Sequence, residues 1–152
     1  MNAGAGAPNL SQGSIPVVAD FNGDGCDDIA IVWPQTSGVF IYYSRSDGTF
    51  YLGAILDTVG LVGGLPGASA ATFGDFDGDR RPDIAVGLAD TQQVVVFFNW
   101  GNGQFARAFF ASGASAIGLA SADLVQKGKT DLVIANYNLS FRPPNVNVMF
   151  HK

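Results

Sequence analysis

A short acidic loop occurs twice in this chain and a third time in decayed form, and each copy runs straight into an apolar stretch. The first copy is Asp20-Phe21-Asn22-Gly23-Asp24-Gly25-Cys26-Asp27-Asp28. The second is Asp75-Phe76-Asp77-Gly78-Asp79-Arg80-Arg81-Pro82-Asp83. Oxygen-bearing side chains fall at loop positions 1, 3, 5 and 9 in both. Four hard donors in so short a loop suit a hard cation such as Ca²⁺, with backbone carbonyls or water completing the shell. Glycine at position 4 permits the tight turn that gathers the carboxylates. The expected ligands are Asp20, Asn22, Asp24 and Asp28 in the first loop and Asp75, Asp77, Asp79 and Asp83 in the second. Position 7, Cys26 or Arg81, would contribute only its backbone carbonyl, because a thiolate is a poor calcium ligand. Two calcium ions are therefore expected.

The helical calcium hand is the rival reading. It requires glutamate at position 12 and flanking amphipathic helices. Position 12 here is Ile31 in one copy and Val86 in the other. The runs that follow, Ile29-Ala30-Ile31-Val32-Trp33 and Ile84-Ala85-Val86-Gly87-Leu88, are short apolar segments bounded by turn residues and read as buried strands.

The loops sit inside a larger repeat. Asp20 to Phe50 and Asp75 to Phe105 span the same 30-residue interval. Each runs loop, strand, turn (Pro34 to Gly38; Ala89 to Gln92), second strand (Val39 to Tyr43; Val94 to Phe98) and glycine turn. Outer strands are expected at Tyr51–Leu56 and Ala106–Phe110, and strands before the loops at Val17–Ala19 and Ala71–Phe73. A period near 50 residues with several strands per unit points to all-β, β-propeller blades. The expected division is one domain with blades at about 11–60, 66–112 and 113–152. The third loop begins at Asp123, keeps Asp131 at position 9, and carries Val125 and Lys127 at positions 3 and 5. Valine cannot ligate, and the lysine ammonium could stand in for the cation. The third blade ends after its third strand, Asn145–Phe150, with no outer strand of its own. Fewer than four blades cannot curve into a ring. The set is therefore expected to be completed by a homo-oligomer (a dimer first, Asn9 to Ser14 supplying an outer strand, or an open filament) or to be part of a larger propeller.

The units resemble the FG-GAP or VCBS repeats of integrin-type β-propellers. Ala19-Asp20-Phe21-Asn22-Gly23-Asp24-Gly25 with Asp28-Ile29-Ala30 carries the likeness, as does Phe73-Gly74-Asp75-Phe76-Asp77-Gly78-Asp79 with Asp83-Ile84-Ala85. The likeness covers about residues 15 to 152. It implies four-stranded blades, calcium in the loop before the second strand, and roles in adhesion or carbohydrate binding.

Composition narrows the function classes. Forty-seven per cent of the 152 residues are hydrophobic, enough for a core, and the 20 glycines suit a protein of tight turns. The net charge of −5 and the lack of basic stripes argue against nucleic acid. No apolar stretch reaches membrane-spanning length, so insertion is not expected. Met1-Asn2-Ala3-Gly4 lacks the basic and apolar regions of a secretory leader, so a leader would have been removed or the chain cut from a longer precursor. Weak calcium sites fill where calcium is roughly millimolar, which places the expected site of action outside the cytoplasm: secreted, periplasmic or at the cell surface. The sequons at Asn9 and Asn138 count only if the chain is eukaryotic and secreted.

The calcium ions are expected to be structural, and no catalytic residue is assigned. His151, the single histidine, lies at the chain end, a poor place for a general base. Phe40, Tyr42, Phe97 and Phe98 read as sheet core. Trp33, and Trp100 in an expected Asn99–Asn102 loop, are expected to pack between blades, with sugar stacking as their alternative; Tyr137 and Asn138 are weaker ligand candidates. The leading expectation is a non-enzymatic recognition or adhesion module for a glycan or an extracellular protein. The alternatives are a self-assembling structural subunit of a ring or filament, and a fragment of a polysaccharide-degrading propeller enzyme.

Overall fold

The computed structural model describes residues 13–34, 38–57, 67–126, 128–137 and 145–149. Among these residues, three antiparallel sheets follow one another along the chain. The first holds β1 (Ile15–Ala19), β2 (Asp28–Val32), β3 (Gly38–Ser44) and β4 (Phe50–Asp57) in sequential order. The second repeats that order with β5 (Ala68–Gly74), β6 (Asp83–Leu88), β7 (Gln93–Gly101) and β8 (Gln104–Ala111). The third comprises β9 (Ser115–Ala122), β10 (Asp131–Tyr137) and β11 (Asn145–Met149), with β10 in the middle. Four strands, four strands and three match the blade-like meander expected from the repeat.

Local chemistry explains the connections. The β7–β8 hairpin turns through Asn102 and Gly103, both at positive φ, as a twist-compatible two-residue turn demands. The β3–β4 turn is closed by Arg45 N–H donating to the Thr49 carbonyl at 2.8 Å and Gly48 N–H donating to the Arg45 carbonyl at 2.9 Å. The turn Ala89–Gln92 falls where the sequence places it. Strands generally extend a residue or two beyond their apolar runs, because ladder pairing continues through Asp28, Ser44 and Asp83.

The sheets stack through two apolar clusters. Val17, Ala30, Val39 and Ile41 of the first sheet meet Ile84, Val86, Val95 and Phe97 of the second. Ala85, Val94 and Val96 on the opposite face of the second sheet meet Ala116, Leu132 and Ile134 of the third. β6 is consequently buried at all its positions, as the inner strand of the middle sheet. Burying one such Val, Ile or Leu side chain contributes about 1.5–3 kcal/mol. Polar ties run alongside. Ser121 Oγ donates to the Phe73 carbonyl at 2.5 Å and meets Thr72 Oγ1 at 3.0 Å.

Several expectations change. Phe97 is core and Phe98 is partly buried against the second cluster, but Phe40 and Tyr42 are only half-buried, on the face of the first sheet that points away from the second. Trp100 lies on β7 rather than in a loop and is 62% exposed, so it does not pack between sheets. Trp33 sits one residue past β2 and packs on Phe40 of its own sheet, ring centroids 5.3 Å apart. Asn9 to Gln12, Lys127, Asn138, Phe141 to Pro144, Phe150 and His151 lie outside the described residues.

Candidate metal centre

Each acidic loop links the first strand of a sheet to the second, and its aspartates first serve the backbone. At position 1, Asp20 accepts from Gly23 N–H at 2.7 Å, Asp24 N–H at 3.1 Å and Gly25 N–H at 2.8 Å. Asp75 does the same for Gly78 at 2.6 Å and Arg80 at 2.8 Å. In the decayed loop Asp123 still accepts from Gly128 N–H at 2.7 Å. Short aspartate side chains capture nearby backbone amides readily, which folds the loop over the carboxylate. Gly23, Gly25 and Gly78 supply the left-handed residues this path requires; Arg80 adopts φ +70° at the place where the first loop has Gly25.

Position 9 has a different task. Asp28 and Asp83 are fully buried. One oxygen of Asp83 accepts from Phe76 N–H at 2.8 Å and the other from Asn99 N–H at 2.8 Å. Asp28 likewise accepts from Phe21 N–H at 3.0 Å and from Ser44 N–H at 2.9 Å. Each carboxylate therefore clasps the start of its loop to the end of the third strand. Asp131 repeats the first half of the clasp, accepting from Leu124 N–H at 2.9 Å. Burial is the largest influence on Asp83 and raises its pKa to about 6; the two amides work the other way, and Asp77 and Asp79 add to the rise.

The two intact loops then diverge. Ligand atoms of Asp75, Asp77 and Asp83 all lie within 4.8 Å of one another, the single such acidic group among the described residues. Oxygens on opposite sides of a calcium ion sit about 4.6–5.2 Å apart, twice the 2.3–2.6 Å bond length, so this spacing fits a calcium shell. Asp79 stands apart from the group. Its Oδ2 is ion-paired with Arg81 Nη2, and its Oδ1 accepts from Arg81 N–H at 2.9 Å. Arg81 thus acts through its side chain as well as its backbone, and its Nε also donates to the Asn99 carbonyl at 2.6 Å. In the first loop Asn22 fills position 3, and its amide nitrogen donates to Asp24 Oδ2 at 3.0 Å. Hydrogen bonding, led by Cys26 N–H, holds the Asp24 carboxyl below its ordinary range. The same carboxylate is the main reason the exposed Cys26 thiol is pushed up.

Asn99 is the residue that sequence reasoning passed over. It is almost wholly buried. Its side-chain amide donates to the Phe21 carbonyl at 2.9 Å and its Oδ1 accepts from Gly101 N–H at 2.9 Å. It therefore joins the second sheet to the first acidic loop. A lone asparagine after an apolar run has no periodic signature; the one clue was that its counterpart, Ser44, is also a polar residue following the apolar run of a third strand.

Between the two loops lies an open cleft of about 480 Å³. Val18 and Phe73 give it apolar surface, and Asp20, Asn22, Arg80 and Arg81 give it polar groups of both signs. Gly101, next to the exposed Trp100, also lines it.

A family model described as FG-GAP-like repeat matches residues 20–86 and, in a second overlapping match, residues 75–134. No curated protein matches the chain.

Proposed function

The chain belongs to the FG-GAP-like repeat family, and from that premise we propose that it is a calcium-binding, non-catalytic recognition module acting outside the cytoplasm. The observation that carries this reading is the convergence of Asp75, Asp77 and Asp83. Three carboxylates this close repel one another unless a cation is shared between them, and hard oxygen donors select calcium or magnesium over softer metals. The second loop is the stronger site. The first loop binds a second ion more weakly, because Asn22 brings a neutral carbonyl where Asp77 brings a charge.

The ion has a structural role. It braces the second loop, whose Asp83 accepts from the N–H of Asn99, the residue whose side chain reaches Phe21 of the first loop. The cleft between the loops is the recognition surface, where Val18 and Phe73 offer a face to the apolar side of a sugar ring or to a partner's side chain. Its ligand is a glycan or an extracellular protein.

Calorimetric titration of calcium into the chelator-treated chain tests the metal. Two ions are expected, with the tighter one lost in Asp77→Ala. No binding heat together with an unchanged melting temperature in chelator would sink the reading. A glycan array, run with the parent and Arg80→Ala chains, tests the cleft.

A further inference from the structure

The repeats are in register at their position-9 aspartates, so strand positions can be compared between sheets. Ile29 and Ile31 of β2 correspond to Ile84 and Val86 of β6 and to Leu132 and Ile134 of β10. In the second and third sheets these residues are sealed by the preceding sheet. In the first sheet the same positions are only half-buried. The cross-strand partners of Ile29 and Ile31 on that face, Tyr42 and Phe40, are half-buried too, whereas their counterparts Phe97 and Val95 are buried. Ile55, opposite Phe40, is 54% exposed. Directly opposed residues share a sheet face, so this is one continuous apolar surface.

The other end of the stack shows the reverse side of the same joint. Val39 and Ile41 of the first sheet, and Val94 and Val96 of the second, are buried by the sheet that follows. Their counterparts in the third sheet are Val146 and Val148, which are 64% and 36% exposed. The described residues therefore carry two internal joints, completed by the chain's own sheets, and both halves of a third.

We propose that a second copy of this chain completes the third joint: the open face of the third sheet in one copy docks on the open face of the first sheet in the other. The occupant is a second copy because each open face repeats, position for position, an interface the chain already makes with itself. The contact is head-to-tail, and two copies related by a two-fold axis make it twice, closing a ring of six sheets within the four to eight of closed propellers. This goes beyond the proposed calcium role, and sedimentation in calcium and in chelator separates the two.

Sedimentation of the whole chain is expected to give twice the chain mass of 15.8 kDa. Ile55→Glu spoils one face and Val146→Glu the other. Both positions are more than half exposed, so the chain itself still folds, which circular dichroism checks. Each variant alone is expected to sediment as a monomer. An equimolar mixture is expected to regain dimers, since it pairs one intact face from each and so restores a single joint. A monomeric parent chain overturns the proposal. So does a Val146→Glu variant that remains dimeric, or a mixture that stays monomeric.

Discussion

The side-chain amide of Asn99 donates to the backbone carbonyl of Phe21, 2.9 Å away and 78 residues earlier in the chain. One buried asparagine thus couples the third strand of the second sheet to the first acidic loop, while its own N–H meets Asp83. Asn99→Ala leaves the Phe21 carbonyl without its buried donor and the Gly101 N–H without its acceptor. A buried group left without its partner costs about 1–3 kcal/mol. Urea unfolding should show a fall of that size at constant slope. A change below a few tenths of a kcal/mol would show that the tie between the sheets carries no energy.

Asp83 predicts an unusual pH response for the metal-free chain. Its pKa is raised to about 6 in the fold, against 3.8 as the ordinary value. The folded state then holds more protons than the unfolded state between those two values. The contribution of Asp83 to stability is therefore fully present below about pH 4 and is lost as pH rises through 6. Asp24 and Asp47 are shifted the other way, so their contributions fade only on acidification below about pH 4. Thermal melts in chelator should give a higher melting temperature at pH 5 than at pH 7. Asp83→Asn should abolish that increment. It should also destabilise the chain, because both carboxylate oxygens accept from backbone amides and an amide nitrogen cannot.

Arg81→Ala separates metal affinity from metal-free stability. The substitution releases Asp79 to face the Asp75, Asp77 and Asp83 group and removes the donor to the Asn99 carbonyl. The melting temperature in chelator should fall. The gain on adding calcium should grow, toward the roughly 2.7 kcal/mol expected when free calcium is 100-fold above the dissociation constant. An unchanged calcium response would mean that Asp79 stays outside the coordination shell even when freed.

Gly74→Ala tests the contact between the second acidic loop and the third. A Cβ there would lie 2.5 Å from Thr130 Cγ2, while Thr130 N–H donates to the Asp75 carbonyl at 3.3 Å. Overpacking of this kind costs about 1–3 kcal/mol. The loss should be recovered in part by Gly74→Ala combined with Thr130→Ser, which removes the opposing methyl. Equal stability of the single and double variants would place the strain elsewhere.

The sheet order was legible because each apolar run is bounded by turn residues, and the equal 30-residue intervals fixed which strands correspond. The shared role of Asp28, Asp83 and Asp131 was visible as a repeated position, although its clasp of backbone amides was not. Side-chain direction was the main thing hidden. Spacing alone placed Asp79 among the metal ligands, yet the neighbouring guanidinium of Arg81 competes for it. Trp100 was assigned to a loop because Gly101 and Asn102 follow it, but the ladder runs on to Gly101 through a bulge opposite Phe105 and Gln104. β9 has an Ala- and Ser-rich sequence with weak strand propensity; its pairing with β10 and its packing on the second sheet decide its conformation.

The aspartate that opens each loop and the aspartate that closes it hold the turn by binding amides, and they do so in the third loop as well, where oxygen ligands at positions 3 and 5 are gone. The path of the turn therefore survives in a loop that has lost two of its oxygen side chains, although Asp75 and Asp83 serve both the turn and the candidate metal group. Under the proposed calcium role, a repeat would gain or shed its ion through positions 3 and 5 while the turn keeps its path, so the calcium requirement of such a protein would be graded repeat by repeat.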